Sequence, residues 1–327
     1  MHAPLTDNFG RRMDYLRLSV TDRCNLRCRY CMPEKGIPLI ERSEILSWEE
    51  MERLSRILTE MGVRKIRITG GEPFVRKGLT DFLARLKQLP EAPRIAVTTN
   101  GTLLERHLQQ LRAIGVRHLN VSLDSLQTGI FRKITRRDGH AETLSAIQKS
   151  AAMDFVLKIN VVVLPGMNDH EIPEFARLTR DRNLEVRFIE PMPFNGHGKA
   201  GETITGDAIK AILRKHFELQ PITSEGNGVA TQFRIPGHQG TLGIIYGASR
   251  TFCDSCSRIR ISAQGQMRTC LYGTEVLDLK HLLRSGTGDA TIRTAIRSKI
   301  RQRFKDGFEA ERHRKQVKFE SMVSIGG

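Results

Sequence analysis

Through the first 190 residues, six short strand patterns alternate with amphipathic helix patterns. The strand candidates are residues 15–20, 65–69, 95–99, 119–123, 158–163 and 186–190. The first helix opens on Ser47 and Glu50 as a capping box, buries Met51, Leu54, Leu58 and Met61 on one face, and stops at Gly62. Thr102 and Glu105 read as a second capping box, before Leu104, Leu108 and Leu111, with Gly115 as the stop. β–α units in series predict a parallel sheet with helices outside.

The alternation inside the strands narrows the architecture. Leu16, Leu18 and Val20 share one face, opposite Tyr15, Arg17 and Ser19. Ile66 and Ile68 oppose Lys65, Arg67 and Thr69; Val97 opposes Thr98. Leu119, Val121 and Leu123 oppose Asn120 and Ser122, while Ile159 and Val161 oppose Lys158 and Asn160. A doubly wound sheet would carry continuous apolar strands. A closed eight-stranded barrel would fill its interior with branched apolar side chains. One apolar and one polar face per strand instead predict a partial (β/α)6 barrel, TIM-like, with a wide polar lumen. Arg17, Arg67, Lys158 and, on the sixth strand, Arg187 would make that lumen suit an anion.

Beyond about residue 195 the pattern changes. Residues 194–198 read as a loop, and Ile209, Ile212, Leu213 and Phe217 mark a helix. Short strands follow at residues 232–235, 242–246, 258–262 and 266–269. The division expected is a barrel core over residues 1–195 and a C-terminal α+β region over 196–327.

Among 327 residues, Lys and Arg outnumber Asp and Glu by 52 to 36, a net charge of +16 that predicts an anionic partner. The densest basic stretch, residues 293–318, reads as a solvated helix face. No apolar run is long enough to span a bilayer, and residues 1–10 are polar, unlike a secretory leader. The expected setting is cytoplasmic, where structural disulfides are rare.

The six cysteines form two triplets: Cys24, Cys28 and Cys31, then Cys253, Cys256 and Cys270. Each contains C-x-x-C, which lets one turn present two thiolates to a metal. Structural zinc wants four ligands, so each triplet is one short. A [4Fe–4S] cube held by three thiolates leaves one iron free for another ligand. Arg258 and Arg260, two apart on a strand beside the second triplet with Ile259 opposite, could hold an anion bidentately.

The stretch C-N-L-R-C-R-Y-C, residues 24–31, resembles the cluster motif of the radical S-adenosylmethionine enzymes. Gly70-Gly71-Glu72-Pro73, directly after the second strand, resembles that family's G-G-E-P segment. Within it, the chain resembles the GTP 3′,8-cyclases of molybdenum-cofactor biosynthesis. Residues 19–33, 67–73, 98–101 (T-T-N-G), 121–126 (V-S-L-D-S-L), 187–190 (R-F-I-E) and 252–260 (F-C-D-S-C-S-R-I-R), with the terminal Gly326-Gly327, carry that likeness.

The resemblance implies two [4Fe–4S] clusters, the first on Cys24, Cys28 and Cys31 and the second on Cys253, Cys256 and Cys270. It implies S-adenosylmethionine on the first, contacted by Tyr30, Gly71, Ser122 and Met192. It further implies GTP held by Arg17, Arg67, Thr98, Lys158, Arg258, Ile259 and Arg260. Arg17, Arg258, Arg260 and the tail glycines Gly326 and Gly327 would serve the reaction, in which hydrogen leaves ribose C3′ and C3′ bonds to guanine C8. Pro191 and Pro193 around Met192 depart from the family's pattern. Expected partners are GTP and an unidentified electron donor, with neither nucleic acid nor membrane, the chain being a monomer or homodimer. Two other readings stand beside this one: a peptide-modifying radical enzyme with an auxiliary cluster, and a zinc-stapled nucleic-acid binder.

Overall fold

The computed structural model describes residues 4–192, 203–223, 228–314 and 321–323. The loop expected at 194–198 and the tail glycines Gly326 and Gly327 lie outside the described residues.

All six expected strands form, as β1 (Tyr15–Ser19), β2 (Lys65–Thr69), β3 (Arg94–Thr99), β4 (His118–Ser122), β5 (Val156–Val162) and β6 (Glu185–Ile189), each parallel to the next. Their apolar faces are the core: Leu16, Leu18, Ile66, Ile68, Val97, Leu119, Val121, Ile159, Val186 and Phe188 are all buried under the helices. The other face looks inward, as the alternation required.

The C-terminal region adds β7 (Gln220–Ile222), β8 (Ala230–Arg234), β9 (Thr241–Ile245), β10 (Arg258–Ile261), β11 (Gln266–Arg268) and β12 (Leu277–Asp278). These do not make a sheet of their own. β9 pairs parallel with β6, and β10 pairs parallel with β1. Eight parallel strands therefore line up as β10-β1-β2-β3-β4-β5-β6-β9, flanked by β11 and β12 on one edge and β8 and β7 on the other. Among the described residues β9 and β10 do not pair with each other, so the barrel is open there.

The capping box at Ser47 and Glu50 forms as expected, with each side chain taking the other residue's main-chain N–H, worth about 1 kcal/mol. The Thr102–Glu105 box does not. Thr102 instead donates to Asn100 Oδ1, Glu105 pairs with Lys149, and the segment Leu104–His107 is a 3-10 turn. Competition from these polar partners removes the cap. Gly115 does close the helix Leu108–Ile114 in the left-handed conformation.

The basic helix Asp289–Arg301 is less solvated than its charge suggested. Ile292, Ile296 and Ile300 are buried. Arg293 pairs with Glu60, and Asp289 takes Arg53 and Arg56, which ties this helix to Trp48–Glu60.

Candidate active site

The polar strand faces enclose a cavity of about 1110 Å³. Its wall brings together the side chains of all six cysteines with Arg17, Tyr30, Arg67, Thr98, Ser122, Lys158, Met192, Arg258 and Arg260, and the main chain of Gly71. Of the described residues expected at the site, Ile259 is missing from this wall: its side chain is fully buried in the core behind β10.

The two cysteine groups sit at opposite ends of the strands. Cys24 lies in the loop beyond Ser19, the last residue of β1, whereas Cys253 and Cys256 lead into β10, whose first residue Arg258 is in register with Tyr15 at the start of β1.

At the first end, Cys28 O accepts the N–H groups of Cys31 (2.9 Å) and Met32 (3.1 Å), a turn that gathers the thiols. Burial pushes the Cys24 thiol up to about 11 and Cys31 up to about 12. Burial of this kind disfavours the free thiolate, and a bound metal cation would favour it. Gly70 and Gly71 are packed against this loop: Gly71 N donates to Thr21 O and Glu72 N to Arg23 O, both at 2.8 Å. A Cβ on Gly71 would stand 2.2 Å from Arg23 O. Glu72 is fully buried, which lifts it to about 7, although Asn100 N, Thr99 Oγ1 and Phe74 N all donate to it. Tyr30 Oη donates to Asp124 Oδ2 at 2.8 Å, fixing the aromatic ring of the motif. Glu190, the carboxylate of R-F-I-E, accepts from Ala248 N (2.9 Å) and Ser249 N (3.1 Å). That pins the turn at Gly247, where a Cβ would come within 2.9 Å of Met192 Cγ; the missing side chain lets Met192 reach the cavity.

Between the two ends the cations crowd. Arg17 is in register with Arg67 on one side and Arg260 on the other. Burial, reinforced by Arg67 and Arg258, pulls Arg17 down to about 10, and burial with Arg17 and Arg258 lowers Arg260 strongly. Arg67 is held by Tyr15 Oη and by Thr98 Oγ1 (3.2 Å). Asn120 Oδ1 and Asn160 Oδ1 are buried acceptors with no partner among the described residues. A site of this composition is electrostatically incomplete without a polyanion that also brings donors.

At the far end, burial raises Cys256, yet the Arg258 and Arg303 guanidiniums hold its thiol down to about 6. Arg258 Nη2 lies 3.4 Å from Cys256 Sγ, and Gly307 N lies 3.4 Å from Cys253 Sγ. Among the described residues no three His, Cys, Asp or Glu side chains converge on a point that one ion could fill. Three thiols spread on the wall of one cavity fit a larger, sulfur-loving group instead.

Residues 18–179 match the Radical SAM superfamily and residues 184–308 match Molybdenum Cofactor Synthesis C. A GTP 3′,8-cyclase from Geobacter sulfurreducens is 42% identical over 332 residues, covering 99% of this chain and 99% of that protein. The GTP 3′,8-cyclase of Syntrophomonas wolfei is 41% identical, covering 99% of this chain and 100% of that one. The chain belongs to the GTP 3′,8-cyclase family. Molybdenum cofactor biosynthesis protein 1 of Drosophila melanogaster is 40% identical over 86% of this chain, which spans 50% of that longer protein. Streptococcus suis SuiB bound to S-adenosylmethionine shares the fold, with a TM-score of 0.58 and 14% identity, covering 87% of this chain and 68% of that one. The cofactors of this family member are two [4Fe–4S] clusters and S-adenosylmethionine.

Several residues at the site carried no sequence signal of their own. Glu185 and His118 stand one residue before the strands expected there; the full length of β6 and β4 puts them on the polar strand faces, with Arg187 and Asn120, without making them part of the cavity wall. Arg11 and Arg303 reach the second cysteine group from opposite ends of the chain.

Proposed function

We propose that the chain is a GTP 3′,8-cyclase that converts GTP to 3′,8-cyclo-7,8-dihydroguanosine triphosphate in molybdenum cofactor biosynthesis. The observation that carries this is the single cavity with a three-cysteine group at each end and a crowded cationic strand face between them. Cys24, Cys28 and Cys31 would hold one cluster, and Cys253, Cys256 and Cys270 the other. The first cluster with S-adenosylmethionine, when bound and reduced, supplies a 5′-deoxyadenosyl radical.

The chain's own residues do the rest by positioning. Tyr30, Gly71, Ser122 and Met192 frame S-adenosylmethionine. Arg17, Arg67, Thr98, Lys158, Arg258 and Arg260 take the triphosphate, whose charge relieves the mutual repulsion of these cations. The main chain at Ile259 is what that residue can offer the nucleotide. Asn120 and Asn160 offer acceptors to hydroxyl groups. Gly326 and Gly327 are assigned to the active site on the family likeness alone. The described residue Ser321, five positions before Gly326, donates from Oγ to Cys31 O at 2.9 Å.

In this reading residues 1–195 serve S-adenosylmethionine and residues 196–327 the second cluster. The enzyme works in the cytoplasm, as monomer or homodimer, with an external one-electron donor. Among the described residues no helix is long and apolar enough to cross a membrane. The peptide-modifying alternative lacks a use for so many converging cations, and among the described residues the zinc-stapled one finds no convergent ion site.

The test is anaerobic purification with iron and sulfide counting, then incubation with GTP, S-adenosylmethionine and a reductant. About eight irons per chain are expected, with 5′-deoxyadenosine and a cyclised nucleotide as products. Zinc in place of iron, or 5′-deoxyadenosine formation that ignores GTP, would refute the proposal.

A further inference from the structure

A buried charge network lies beneath the second cysteine group. Asp7 is 5% exposed, and its Oδ1 accepts the N–H groups of Phe9 and Arg11, both at 2.9 Å. Its Oδ2 takes Arg11 Nε at 2.7 Å and lies 4.0 Å from Arg303 Nη1. Arg11 Nη1 then donates to Cys253 O at 3.0 Å, and Arg303 Nη1 donates to Cys256 O at 2.8 Å. Both cysteines of the C-x-x-C are therefore carried through their carbonyls by a guanidinium. One guanidinium comes from the segment before β1, the other from the turn after the helix Asp289–Arg301.

The two side chains are only 7% and 4% exposed and share one carboxylate. Asp306 adds a second carboxylate near Cys253 and Arg258 a third guanidinium near Cys256, so a net positive charge is left against the ligand loop, which is costly unless an anion sits opposite. A [4Fe–4S] core on three thiolates is such an anion, and its negative charge grows on reduction. Nearby positive charge favours the reduced form.

We propose that Arg11 and Arg303 are positioning residues for the second cluster. Through the carbonyls of Cys253 and Cys256 they fix the ligand loop, and through their excess charge over Asp7 they hold that cluster's reduction potential up. This rests on the two-cluster reading above.

A merely mechanical pin would be served by any donor, whereas the electrostatic role follows charge. The loaded full-length chain is titrated potentiometrically and followed by electron paramagnetic resonance, with and without S-adenosylmethionine. The signal that S-adenosylmethionine leaves unchanged reports the second cluster. R303Q keeps a donor and removes the charge, and its second-cluster potential is expected to fall while the other cluster's stays put. R303K is expected to remain near the parent. D7N removes the shared carboxylate charge and keeps both guanidiniums, so its shift is expected in the opposite direction. Opposite shifts from R303Q and D7N are a signature that loosened packing does not produce. If R303Q fails to hold its iron, R11Q against D7N makes the same comparison, because Arg11 holds Cys253 O as Arg303 holds Cys256 O. An unchanged or lowered second-cluster potential in D7N, or equal shifts of both clusters in R303Q, overturns the proposal. A parent chain with far fewer than about eight irons would instead defeat the underlying two-cluster reading.

Discussion

Glu185 pairs with Lys158 across the lumen face, where the two are direct partners in the β5–β6 register. Its other oxygen takes Arg187 Nε at 2.6 Å. One carboxylate, 6% exposed, thus holds apart two cations that would otherwise repel in a wall meant for an anion.

E185Q removes that charge and leaves Lys158 and Arg187 facing each other. Stripping one partner from a buried ion pair costs about 3–5 kcal/mol, and the lower end applies because Lys158 is 23% exposed. The melting temperature without nucleotide is expected to drop. GTP should then restore more stability to E185Q than it adds to the parent, since the triphosphate supplies the missing negative charge. Thermal unfolding with and without GTP checks this; equal ligand-induced shifts in both proteins would count against it.

The lumen was legible because strand alternation is a local signal. Arg17, Arg67, Thr98, Ser122 and Lys158 lie where period-two spacing put them. Glu185 was not, since its strand was expected to begin at residue 186 and nothing local marks a carboxylate as a cation's partner. The sheet's width was hidden for another reason: strands near residues 241 and 258 look alike whether they pair with each other or with distant edges. The structure sends β9 to β6 and β10 to β1. Arg11 on Cys253 O spans 242 residues of sequence, a contact no periodicity encodes.

His118 reports the field inside the lumen. Burial, then the cations Arg94, Lys65, Arg67 and Lys158, pull its imidazole down to about 4. Between about pH 4 and 6.5 the unfolded chain therefore binds a proton that the folded chain refuses, so this residue's contribution to stability is present above about 6.5 and lost as pH falls toward 4. Phosphates bound among the same cations should raise the imidazole's affinity for protons. Calorimetric titration with GTP near about pH 6, without reductant, in two buffers of different ionisation enthalpy is expected to show a proton uptake by His118 set against the protons that the terminal phosphate, with a second pKa of about 6, releases among the cations. H118Q should lose that uptake, and equal uptake in both proteins would contradict the assignment.

Gly71 is required by shape as well as by any contact with a ligand. A Cβ there meets Arg23 C at 2.5 Å and Cys24 N at 2.9 Å, all main chain that cannot swing aside. Overpacking of this kind costs about 1–3 kcal/mol or more, and the cost falls on the loop that carries the first cysteine. G71A is expected to keep the second cluster and lose the first, taking iron from about eight to about four per chain. Iron analysis with S-adenosylmethionine binding measures it. A variant with full iron and normal binding would show that the loop accommodates the methyl group.

Arg17 has two candidate roles, in nucleotide binding and in the reaction, and kinetics separates them. It is aligned with Arg260 on the adjacent strand, so two guanidiniums can present forks to neighbouring phosphate oxygens. Lys keeps the charge but loses the bidentate geometry. A charge-assisted hydrogen bond contributes about 1.5–3 kcal/mol, which predicts roughly a 10- to 100-fold rise in KM for GTP in R17K. If binding is the whole role, kcat stays close to the parent, because uniform binding loss leaves the bound complex equally reactive. A fall in kcat at unchanged KM would instead place Arg17 against the reacting ribose. Measuring both constants against GTP, with 5′-deoxyadenosine as the product followed, decides which end of the nucleotide this residue holds.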